Sequence, residues 1–211
     1  VLTPTFPMWK SQFDRTDLRR LVDAAHSVGL PVAAHCHGIG GIHDAIAVGV
    51  DTLEHCTFFT ESGGSEPDEA SLSAVVDSGI TISATLGAIP EFEPPPIIRA
   101  NIDTLLGALA EVVRRGGNLV VGTDAGIGPG KPHDVLPYAA IHLAQVGMPA
   151  IDALKAMTSR SAEAIGLGTR KGRVLPGYDA DLVAVGGNPL DDMAALHDVR
   201  AVYLRGDPIS L

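Results

Sequence analysis

Two short stretches place side chains able to bind a metal ion at the ends of apolar runs. "PVAAHCHG", residues 31–38, carries His35 and His37, and "VDTLEHCTF", residues 50–58, carries His55. A third, "NLVVGTDAG" at residues 118–126, carries Asp124. Imidazole with carboxylate suits zinc or a similar divalent ion, and hydrolysis is the usual outcome when the ion keeps a position open for water. The ion lowers the pKa of its water to about 7, and a neighbouring carboxylate takes the proton as the oxygen attacks a carbonyl. Each residue alone also fits a role as a satisfied core group. Three of them at strand ends are harder to explain so, because each unpaired polar group would cost about 1–3 kcal/mol. His35, His55 and Asp124 are therefore the expected metal ligands, with Asp124 also the expected general base.

His37 is expected just past its strand end, where it either lines the substrate pocket or caps the loop. The loop "DAGIGPGKPH" lacks the spacing of a phosphate cradle and reads as a plain flexible loop. Its His133 is placed either in contact with substrate or at a helix N-terminus. His26, His43, His142 and His197 read as packing or surface residues, and Asp179 and Asp181 in "GYDADL" as a tight turn before a strand.

The elements that must position these groups follow a repeated phrase: amphipathic helix, glycine, short apolar strand. "SVGLPVAAH", "AVGVDTLEH", "DSGITISAT" and "RRGGNLVVGTD" are its instances. Leu18, Leu21, Val22 and Ala25 form one helical stripe, with Thr16 as expected N-cap and Gly29 as stop. Ile42, Ala45 and Ile46 mark a second helix. Leu72, Val75 and Val76 mark a third, starting at Pro67. A fourth follows Pro94–Pro96 with Ile102, Leu105, Leu106, Leu109, Val112 and Val113. Apolar strands of about five residues, each fed by a helix, are what a parallel sheet buried on both faces requires, so the class is α/β. Strand alternation puts Cys36, Cys56 and Glu54 opposite the histidines, facing the covering helices. Helical stretches over 135–146 and 150–165 follow. From Lys171 the texture becomes short strands joined by Gly, Pro and Asp turns, which divides the chain into 1–170, a partial barrel or open sheet, and 171–211, a small β element too slight to stand alone.

Composition narrows the partners. A net charge of −10 argues against nucleic acid, and aromatic residues at 4% are too few for stacking platforms. No apolar run approaches the roughly 20 residues that cross a membrane. The opening "VLTPTFPMWK" has no signal-peptide pattern, so a cytoplasmic location is expected. Two cysteines are too few for a disulfide framework and should be free thiols. Val1 is not an initiator, and the chain reads as a fragment.

"VAAHCHG", "VDTLEHCTF", "VVGTDAG" and "KGRVLPGYDADLVAVGGNPLDD" together, in order and spacing, resemble the metal-dependent amidohydrolase superfamily, in its imidazolonepropionase-like and prolidase-like branch. The resemblance implies a (β/α)8 barrel with a small β-sandwich built from both chain ends, and one or two zinc-like ions. His35 and His55 match the family's ligands ending the fifth and sixth strands. Asp124 matches the aspartate ending the eighth, a ligand and the general base. The family's first-strand His-x-His and its bridging lysine on the fourth strand have no match, and Lys10 lies too far along to substitute. The expectation is the C-terminal half of a TIM-type barrel, with open edges inviting a homo-oligomer or a missing N-terminal half. The implied activity is hydrolysis of carbon–nitrogen bonds in an amide, cyclic amide or dipeptide-like substrate, weak or absent in this chain alone. The competing reading is a non-catalytic half-barrel or assembly subunit. An open-sheet binding protein ranks below both, for want of a nucleotide fingerprint.

Overall fold

A computed structural model describes residues 6–210; the opening "VLTPT" lies outside them. The chain forms two compact units, residues 6–85 with 93–122, and residues 86–92 with 123–210.

The first unit is built from α1 (Arg15–Ser27), β1 (Ala33–Gly38), α2 (Ile39–Val48), β2 (Thr52–Phe59), α3 (Glu69–Ser78), β3 (Thr81–Thr85), α4 (Pro96–Arg114) and β4 (Leu119–Gly122). Its sheet runs β1-β2-β3-β4, all parallel, as the repeated helix–glycine–strand phrase requires. Gly29, Gly49, Gly79 and Gly116, just past the four helices, hold φ between 67° and 78°, the left-handed conformation a glycine supplies most cheaply. The N-cap of α1 is Asp14, not Thr16, because the Asp14 carboxylate is placed to accept from the Asp17 N–H at 2.8 Å. Asp68, not Pro67, does the same for α3, accepting from Ser71 N–H at 2.7 Å.

One sheet face carries Leu53, Ile82 and Leu119, which are in register and at most 1% exposed. Ile42, Ala45 and Val48 of α2, Leu72 and Val75 of α3, and Leu105, Leu109 and Val112 of α4 are buried with them. Ile102, expected in that stripe, is 39% exposed: α4 turns it outward. Arg19 of α1 donates to the Val48 carbonyl at 2.8 Å, capping the C-terminus of α2.

The second unit holds α5 (Leu136–Gln145), α6 (Ala150–Met157) and α7 (Ser159–Ala164), then an antiparallel sheet of β5 (Leu182–Val185), β6 (Val199–Leu204) and β7 (Asp207–Ile209). The helix expected over 150–165 breaks at Thr158 (φ −129°, ψ −92°). Asp179 and Asp181, just before β5, are both held by ion pairs. Asp179 pairs with Arg170 and Lys171, while Asp181 pairs with Lys171 and accepts from the Arg205 N–H at 2.9 Å.

Candidate metal centre

The site in the first unit begins with an irregularity in β2. Cys36 pairs with His55 and Gly38 with Phe59, so β2 spends three residues where β1 spends one. His55, Cys56 and Phe58 carry φ of 71°, 51° and 53°, left-handed values uncommon for residues with a Cβ. This reverses one expectation. Glu54 is in register with His35 and Ser83, and so shares their sheet face; it does not face the helices. There Glu54 accepts from the Thr52 hydroxyl at 2.8 Å. The left-handed turn at His55 breaks alternation and returns the next side chain to the same face, where His55 Nδ1 lies 2.8 Å from Thr85 Oγ1.

The result is a cluster of three imidazoles. His55 Nε2 lies 2.9 Å from His35 Nδ1. The ring centroids of His35, His37 and His55 are 4.3–4.6 Å apart, and one nitrogen of each lies within 4.8 Å of the others. His37 is not past the strand end: β1 continues through Gly38, so His37 sits two residues beyond His35 on one side of the strand. It is buried, and Nδ1 is hydrogen-bonded to Thr57 Oγ1 at 2.8 Å, which turns Nε2 away from that partner. Burial, and then the neighbouring His55 and His35, push its pKa down to about 2, so the ring is neutral and keeps a lone pair for a cation.

Two hydroxyls absent from the sequence reading, Thr57 and Thr85, thus orient His37 and His55, the work outer partners do around metal-ligating histidines. A threonine ending the third strand was their only trace in the sequence. Both cysteines are free and buried, as expected. Cys36 Sγ points to the Gly41 carbonyl of α2 at 3.7 Å, and burial pushes its thiol up to about 12 and that of Cys56 up as well.

A cavity of about 310 Å³ opens beside His35 and His37, between the segment 6–13, α1 and the outer edge of β1. Phe6, Met8, Trp9, Phe13 and Leu21 give it apolar walls. Among the described residues β1 pairs only with β2, so this edge is unpaired. Gly38 is required here, because a Cβ would fall 2.0 Å from the Trp9 carbonyl oxygen.

Asp124 belongs to the second unit, two residues beyond the last residue of β4, with φ 54°. Its loop is not the plain flexible segment expected. The Gly126 N–H donates to the Lys131 carbonyl at 2.7 Å, the Lys131 N–H to Gly128 at 3.0 Å, and the Ile89 N–H to Gly130 at 3.0 Å. His133 is exposed in the same loop, its ring against Gly126. Of the other histidines, His26 pairs with Asp51, His43 with Ser71, His142 with the Gly87 N–H, and His197 stacks edge-on with Tyr138.

The residues of the triad fit a zinc-like ion. Two imidazole nitrogens on one tetrahedral zinc lie about 3.4 Å apart, so a pair 4.8 Å apart must close by about 1.4 Å and the His35–His55 pair, at 2.9 Å, must open by about 0.5 Å. All three donors are nitrogens of the kind such ions take.

The chain is 29% identical over 203 residues to ochratoxinase from Aspergillus niger, covering 91% of this chain and 40% of that one. It is 25% identical over 204 residues to imidazolonepropionase from Thermoplasma acidophilum, covering 90% and 45%. A Xaa-Pro dipeptidase crystal structure superposes with a TM-score of 0.79 at 26% identity, over 95% of this chain and 50% of that chain. The chain therefore spans about half the length of the proteins it matches, and its parallel βα units correspond to half of an amidohydrolase TIM barrel. The family model described as "Amidohydrolase family" matches residues 7–209, and this chain belongs to the amidohydrolase family.

Proposed function

We propose that the protein is a metal-dependent hydrolase of amide-like carbon–nitrogen bonds, in which His35, His37 and His55 hold one divalent ion and Asp124 is the general base. The observation that carries this reading is the convergence of three imidazole nitrogens within 4.8 Å where the regular register of β1 with β2 breaks. A bound ion supplies carbonyl polarisation and a more acidic water. The chain supplies the rest. Thr57 and Thr85 fix the ring orientations of His37 and His55. Asp124 accepts the water's proton, a role supported by the "VVGTDAG" motif and by a left-handed backbone of the kind found at functional sites. The apolar cavity beside His35 and His37 suits a substrate with an apolar group next to the scissile amide, in keeping with small dipeptide-like or cyclic-amide substrates. His133, exposed in the loop after Asp124, is assigned to substrate contact.

The unpaired β1 edge favours a partner strand, from a second copy or from an N-terminal half. No described helix is long and apolar enough to cross a membrane. Two free, buried cysteines support a cytoplasmic location.

The test is metal content and turnover of the purified chain. The expected result is at least one tightly held ion per chain, lost in His35→Ala, His37→Ala and His55→Ala, with hydrolysis of a dipeptide and N-acyl-amino-acid panel abolished in Asp124→Asn. The second reading, a non-catalytic half-barrel, is favoured by the half-length match to relatives. Absence of any bound ion after exposure to zinc decides for it.

A further inference from the structure

Lys131 is the only lysine or arginine buried among the described residues, at 9% exposure, and it sits in a glycine-rich loop. A buried ammonium is costly unless bonded and paired. Here Nζ donates to the Thr123 carbonyl at 2.8 Å, the carbonyl that leads directly into Asp124. The loop closes around it: besides the hydrogen bonds already described, Phe92 packs so tightly on Gly130 that a Cβ there would meet its ring at 1.9 Å. Burial pulls the lysine pKa down, and the Asp124 charge acts against that.

We propose that Lys131 is the positioning residue for Asp124: by clasping the Thr123 carbonyl from within the closed 126–131 loop, it holds the Asp124 backbone in its left-handed conformation. The proposal rests on the reading of Asp124 as the base. Left-handed backbone at a non-glycine residue persists only where its surroundings over-determine it, and the clasp is such a constraint. Methionine at 131 keeps the apolar stem and removes the donor; arginine keeps the charge and a donor.

The experiment uses the full chain, isotope-labelled, as wild type, Lys131→Met, Lys131→Arg and Asp124→Asn. Backbone shifts and HN–Hα couplings report the Asp124 φ. The expected result is a left-handed Asp124 in wild type and Lys131→Arg, lost in Lys131→Met while signals of β1 to β3 stay in place. An unchanged Asp124 in Lys131→Met overturns the proposal. If Lys131→Met does not fold, amine labelling of wild type decides: Lys131 should react at least about tenfold more slowly than Lys155, whose side chain is 48% exposed. Equal rates overturn the clasp. In turnover, Lys131→Met should lower kcat on the order of tenfold or more with KM little changed, and Lys131→Arg should restore much of it. An unchanged kcat in Lys131→Met, with Asp124→Asn inactive, also overturns it. Full activity in Asp124→Asn removes the base assignment instead, and leaves the clasp to be judged by the Asp124 φ alone.

Discussion

His55 Nδ1 and Thr85 Oγ1 lie 2.8 Å apart, so the last residue of β3 orients an imidazole on β2 and leaves its Nε2 facing His35. Thr85→Val keeps the shape and removes the hydrogen bond. Zinc affinity measured by chelator competition should fall about 10- to 100-fold, with Thr85→Ser close to wild type. Equal affinities in all three would mean that the hydroxyl only fills space.

Gly38→Ala pushes a methyl group into the Trp9 backbone, where no rotamer can relieve the 2.0 Å approach. Overpacking of this kind typically costs about 1–3 kcal/mol. Urea unfolding should show the loss as a lower midpoint with an unchanged slope, and the cavity beside β1 should open.

Neither thiol should react in the folded protein. Cys36 and Cys56 are buried and their pKa values are raised, so at pH 8 almost no thiolate forms. A disulfide-exchange reagent should titrate no thiol until denaturant is added, then two per chain. Rapid native labelling would show that α2 opens readily.

Asp51 accepts from the Val32 N–H at 2.6 Å and is bonded to His26 at 2.9 Å, and these two contacts hold its carboxyl below its usual value of 3.8. A depressed carboxyl pKa contributes stability above the ordinary value and loses it as pH falls through the lower folded value. The stability gap between wild type and Asp51→Ala should therefore be constant near neutrality and shrink below about pH 4. The effect is small, because the Asp51 side chain is 41% exposed. A gap independent of pH would assign it to packing.

Much of the fold was legible because each helix ends on a glycine and feeds a short apolar strand, a pattern that only parallel βα units satisfy. His35 and His55 were legible as polar residues interrupting such apolar runs, but neither closes its strand: β1 runs on to Gly38 and β2 to Phe59. Other features were not, for one physical reason: strand reading assumes a two-residue period. The left-handed residues His55, Cys56 and Phe58 break that period, which sent Glu54 to the wrong face. His37 was set beyond the strand because the apolar run before His35 was taken as its whole length, yet β1 stays paired through Gly38. The threonines and Lys131 act through contacts distant in sequence, 20 residues for Thr57 with His37 and 8 for Lys131 with Thr123, which no local pattern encodes.

The kink in β2 also limits transplantation. A designer copying only the side chains of His35, His37 and His55 onto a regular pair of parallel strands would aim the third imidazole into the wall behind the sheet. The functional unit to be grafted is a conformation with its extra residues, whose cost, roughly 1–3 kcal/mol for each strained position, any recipient scaffold must be stable enough to absorb.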